Sequence, residues 1–109
     1  MRAMQGNADP NGRTRESILI VDDQPANLQV LMHTLERFGC NLLVAKSGES
    51  ALAIARKAHP DLILLDIMMP GIDGFEVCRR LKADPGTRKI PVIFLSALRE
   101  ACDKVKARR

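Results

Sequence analysis

Three short runs of uninterrupted apolar residues punctuate the chain, at Ile18 to Val21, Leu62 to Leu65 and Val92 to Leu95, with a weaker fourth at Leu42 to Ala45. They are too short for helices, and none alternates with polar positions as a strand with one wet face would. They predict buried parallel strands. Between them apolar positions recur at helical spacing. Leu28, Leu31, Leu35 and Phe38 form one stripe after Pro25, whose fixed φ suits a first helical turn. Ala51, Leu52, Ile54, Ala55 and Ala58 form a second after Ser47, a favourable N-cap. Asp73 followed three residues later by Glu76 has the form of a capping box, opening a third helix with Phe75, Cys78 and Leu81 inward. Leu98 to Arg109 reads as the start of a fourth helix. Residues 1 to 16 show no apolar period and hold Gly6, Pro10 and Gly12, so they are expected to be a flexible leader ahead of one domain over 17–109.

Strands alternating with helices imply right-handed crossovers and a parallel sheet covered on both faces, a doubly wound α/β domain. In such sheets the ligand site lies beyond the carboxyl ends of the strands, where strand order reverses. The residues just after each strand are therefore the ones to examine.

Composition narrows this further. The 109 residues suffice for one domain, and with 46% hydrophobic residues, no Trp or Tyr and three Phe, the core must be aliphatic. No apolar run approaches the roughly eighteen residues that span a bilayer, and the N-terminus has no signal-peptide stretch, so a cytoplasmic protein is expected. Cys40, Cys78 and Cys102 lack metal-type spacing and are expected to be reduced thiols. The net charge of +4 sits at the ends: residues 18 to 98 carry nine Lys/Arg and nine Asp/Glu. A nucleic-acid partner would need a basic face on a folded element, and none is indicated. His33 falls opposite the inward leucines of its helix and His59 precedes Pro60; both read as surface or loop residues rather than phosphotransfer groups.

Asp22 and Asp23 directly follow the first strand, Asp66 closes the third, and Ser96 follows the last apolar run. Any one aspartate after a strand is a turn former or cap more often than a functional group. Their combination on one edge is harder to obtain from turn chemistry. If the first and third strands are neighbours, three carboxylates converge, and charges ~4 Å apart repel by roughly 4 kcal/mol per pair at an effective dielectric near 20. A hard cation with oxygen ligands offsets that repulsion, and Mg²⁺ suits one or two carboxylates, carbonyls, waters and a phosphate oxygen.

The stretches Ile18-Leu19-Ile20-Val21-Asp22-Asp23, Leu64-Leu65-Asp66-Ile67-Met68-Met69-Pro70-Gly71-Ile72-Asp73-Gly74 and Pro91-Val92-Ile93-Phe94-Leu95-Ser96-Ala97, at these spacings, resemble the receiver domains of two-component response regulators. The resemblance covers residues 17 to about 105. It implies a flavodoxin-like sheet of order 2-1-3-4-5, here holding the first four strands as 2-1-3-4. It implies that Asp66 is a phosphoacceptor, charged by a histidine kinase or phosphotransfer protein. By the same resemblance, Mg²⁺ is bound by Asp23, Asp66 and the backbone carbonyl of Met68, with Asp22 holding metal-bound water. Ser96 is the implied phosphate contact and switch residue. Such a module receives a phosphoryl group and is not expected to be an enzyme. The side chains of Met68 and Met69, judged by type alone, read as loop packing.

The family pattern continues through a fifth strand with an aromatic residue and a Lys-Pro pair, then a fifth helix. This sequence contains no Tyr and no Lys followed by Pro. The phosphate-contacting lysine role is assigned to no residue, and transfer is expected to be impaired. Exposing the four apolar side chains of Val92 to Leu95 would forfeit roughly 6 to 12 kcal/mol. The sequence is therefore expected to be a fragment of a longer product, or to cover that edge as a homodimer, a helix-exchanged dimer or a complex. Two further readings stay open: a receiver-like interaction module with a vestigial acidic pocket, and a metal-dependent hydrolase, for which no further acid/base residue or substrate cap is evident.

Overall fold

A computed structural model describes residues 15–95. It contains β1 (Ser17–Val21), α1 (Pro25–Glu36), β2 (Asn41–Ala45), α2 (Gly48–Ala58), β3 (Leu62–Leu65), α3 (Gly74–Ala83) and β4 (Val92–Phe94). The four strands are parallel and ordered β2-β1-β3-β4, the flavodoxin-like arrangement anticipated from the sequence. The leader up to residue 14, Ser96 and the expected fourth helix lie outside the described residues.

The continuous apolar strands follow from burial on both sides. Side chains alternate across a strand. On one face Leu19, Val21, Ile63 and Leu65 pack with Ala51, Leu52 and Ala55 of α2 and Val77 and Leu81 of α3. On the other, Ile18, Ile20 and Leu64 meet Leu28 of α1 together with Leu95. Burying an aliphatic side chain contributes roughly 1.5–3 kcal/mol, so the four apolar residues of β1 alone rival a domain's net stability. β1 is the central anchor because it pairs with both β2 and β3.

Local chemistry sets the helix ends. Pro25 occupies the first turn of α1. The Ser47 hydroxyl accepts from the Ser50 N–H at 3.2 Å and caps α2, while His59 closes that helix in the left-handed region. Asp73 caps α3 by accepting from the Glu76 N–H at 2.9 Å. The capping box is only half made. The Glu76 carboxylate pairs instead with Arg79 and Arg80, which hold it down at about 2. Beyond α3, the buried Thr87 hydroxyl donates to the Leu81 carbonyl at 2.8 Å, tying the return loop to the helix end.

Two aromatic placements differ from expectation. Phe38 is 72% exposed, because α1 ends at Glu36 and the chain turns through Gly39 at φ 72° before the stripe completes another turn. Phe75 is 60% exposed, with its ring centroid 5.3 Å from that of Phe94 at the sheet margin; Val77, Cys78 and Leu81 supply the inward face of α3. β4 is also one residue shorter than its apolar run, though Leu95 remains buried.

Gly74 opens α3 against the end of β3. A Cβ there would lie 2.8 Å from the Ile67 Cα and 3.0 Å from the Asp66 carbonyl carbon, and closer still to the Asp66 carbonyl oxygen. These are backbone atoms, so no rotamer change relieves the clash. Gly74→Ala should cost about 1–3 kcal/mol. Thermal unfolding followed by circular dichroism should show a clearly lowered Tm; an unchanged Tm would refute the tight approach.

Candidate functional site

Register brings the acidic residues together. Val21 of β1 lies beside Leu65 of β3. The residues that follow, Asp22 and Asp66, leave neighbouring strands on the same edge. The ladder reaches one donor further: the Asp66 N–H donates to the Val21 carbonyl at 2.9 Å and the Asp22 N–H to the Ala45 carbonyl at 3.1 Å. Both aspartates are therefore fixed by the sheet rather than by a free loop. Carboxylate oxygens of Asp22, Asp23 and Asp66 all lie within 4.8 Å of one another.

The three differ in surroundings. Asp22 is 0% exposed; one oxygen accepts from the Gln24 N–H at 3.0 Å and the other from the Asn27 side-chain amide at 3.1 Å. Asp66 is 9% exposed and Asp23 is half-buried. α1 begins just beyond the pair, so its positive N-terminal end adds some stabilisation to negative charge there. That is modest against mutual repulsion of about 3 kcal/mol or more per ionised pair at this spacing.

The donor set fits a hard divalent cation. Two oxygens on one Mg²⁺ at ~2.1 Å are at most ~4.2 Å apart, so the observed spread nearly matches a first coordination sphere. It leaves room for one carboxylate to act through water. The Met68 side chain is 78% exposed and projects from this loop, whereas Met69 is buried in the core. Packing therefore accounts for Met69 but not for Met68. Pro70 and Gly71 continue the loop, Gly71 at φ 79°, which favours glycine.

Ser96, the fourth residue expected at this edge, lies outside the described residues. His33 is exposed on α1 and His59 caps α2, and neither belongs to the acidic group. Cys40 and Cys78 are free thiols, whereas Cys102 lies outside the described residues. No helix among the described residues is long and apolar enough to cross a membrane. Sequence reasoning missed Asn27 and Gln24. The available signal was a carboxamide in the first turn after Pro25, near enough to reach back to Asp22.

Comparison with known proteins agrees with this geometry. The response regulator PleD of Caulobacter vibrioides is 48% identical over 89 residues, which is 82% of this chain and 20% of PleD. The chain thus spans about a fifth of that relative's length. The N-terminal domain of a response regulator receiver protein from Methanoculleus marisnigri JR1 superposes with a TM-score of 0.70 at 47% identity, covering 72% of this chain and 63% of that one. The receiver domain of a sensor histidine kinase from Pseudomonas aeruginosa PAO1 gives 0.71 at 30% identity, covering 74% and 66%; that structure has a magnesium ion coordinated in its active site cleft. The model of the response regulator receiver domain matches residues 18–109, and with fold, acidic edge and relatives in agreement, the chain belongs to that family.

Proposed function

We propose that this chain is the phosphoacceptor module of a two-component phosphorelay, with Asp66 as the acceptor. The convergence of Asp22, Asp23 and Asp66 at the carboxyl edge of β1 and β3 carries this reading. A carboxylate oxygen of Asp66 attacks the phosphorus of a phosphohistidine on a histidine kinase or phosphotransfer protein. The O–P bond forms, the P–N bond breaks, and the electron pair leaves with the imidazole, which takes up a proton. The product is an acyl phosphate on the chain's own side chain, so the module is a recipient rather than an enzyme.

Asp23, Asp66 and the Met68 carbonyl would hold Mg²⁺, with Asp22 acting through a bound water. When bound, the ion neutralises the carboxylates and the phosphoryl oxygens as charge shifts between donor and acceptor. The rigid placement of Asp66 by the β3 ladder supplies the alignment on which such transfer depends. Ser96 is assigned a phosphate contact that reports phosphorylation. The setting is cytoplasmic, without nucleic acid or membrane as partners of this segment.

Titration calorimetry should show Mg²⁺ binding that weakens at least roughly tenfold in Asp23→Asn and in Asp66→Asn. Unchanged affinity in both would remove the metal assignment. An acyl-phosphate donor or a phosphorylated kinase should place a base-labile label on the native chain and none on Asp66→Asn. Equal labelling of that variant would exclude Asp66, and no labelling of either would favour a receiver-like interaction module.

Assembly belongs to the same reading. Among the described residues β4 pairs on one side with β3, and Ile93 on it is exposed. We expect the 109-residue chain to self-associate through this edge at micromolar concentration. Sedimentation over a dilution series should show mass rising with concentration; a compact monomer throughout would refute it.

A further inference from the structure

We infer that Asn27 is a positioning residue for the metal-binding edge, acting through Asp22. The inference rests on the Mg²⁺ reading proposed above and adds to it a residue outside the ligand set.

Asp22 is buried among carboxylates of like charge, and two hydrogen bonds from the chain's own residues define its orientation. The Gln24 backbone N–H holds Oδ1 at 3.0 Å, and the Asn27 Nδ2 holds Oδ2 at 3.1 Å. The Asn27 amide has one possible orientation. Its nitrogen also lies 3.3 Å from Gln24 Oε1, so both neighbours are acceptors and the NH₂ group must face them. Asn27 sits in the first turn of α1, behind Pro25 and beside the buried Leu28, so the helix itself fixes where the amide points. Asparagine is a mediocre helix former, so helix propensity does not account for its place in this turn. Among the described residues its side-chain amide donates to these two acceptors.

A carboxylate held at both oxygens cannot turn about its terminal torsion. Held at Oδ1 alone, it can pivot, and repulsion from the Asp23 and Asp66 carboxylates, grouped with it within 4.8 Å, favours turning away from them. The pin at Oδ2 therefore keeps Asp22 facing the cation site before any cation arrives. Partners that orient ligands in this way typically contribute 10–100-fold to metal affinity.

The test is Mg²⁺ titration calorimetry on the 109-residue chain, which suits a protein without Trp or Tyr. Asn27→Leu, close in size but lacking the donor, should weaken Mg²⁺ about tenfold or more. Asn27→Ala should do the same, and serves if the leucine variant folds poorly. Gln24→Ala keeps the backbone N–H and should change affinity by less than about threefold. A purely structural role for Asn27 would weaken binding whatever stands at position 22. The positioning role predicts that Asn27→Leu loses its effect once Asp22→Asn is present, because the oriented carboxylate is gone. Native affinity in both Asn27 variants, or an undiminished effect in the Asp22→Asn background, would overturn the role while leaving the metal site intact. Failure of the native chain to bind Mg²⁺ would overturn both.

Discussion

The structure is organised around a repulsion that folding creates between like charges at one edge of the sheet. Three carboxylates are brought to one edge because β1 and β3 are neighbours in register, and a one-residue slip would exchange every β1 side chain between two differently packed apolar layers. The hydrophobic layers thus enforce an arrangement that electrostatics opposes. Aliphatic burial over two faces is large enough to sustain it. In the proposed function the converging carboxylates hold a cation and the phosphoryl group it accompanies.

What surrounds the edge divides the labour. Backbone hydrogen bonds from Asp22 and Asp66 into the adjoining strands set where the main chain lies. Side-chain and turn contacts from Gln24 and Asn27 set how Asp22 is turned. The loop after β3 behaves differently: Met69 plugs into the core, while Met68 leaves its side chain in solvent. A single dipeptide thereby anchors the loop and presents its outer surface.

Much of this was legible in the sequence, for definite reasons. Uninterrupted aliphatic runs identify strands covered on both faces, and Leu62–Leu65 was located to the residue. Ser47 and Asp73 marked helix starts because a short oxygen-bearing side chain there has an obvious N–H to accept from. Asp22, Asp23 and Asp66 were legible because each follows a strand, and the strand order implied by the family resemblance sets β1 beside β3. Phe38 and Phe75 were misplaced because helical period gives an angle around an axis, not the point where a helix stops or the sheet beneath it runs out. The pairing of Glu76 with Arg79 and Arg80 was a competition among exposed partners at similar spacing, which a capping pattern does not resolve. Asn27 escaped because its value depends on the orientation of a side chain five positions earlier.

The contact between Gly74 and the Asp66–Ile67 peptide has a mechanical consequence. Most helix–sheet contacts are cushioned by side chains, whose rotamers can absorb a small displacement. Here the first residue of α3 rests on main chain, with the Gly74 N–H donating to the Ile67 carbonyl at 2.9 Å. The joint has almost no slack, so a shift of the peptide that carries Asp66 is delivered to α3 as motion of the whole helix.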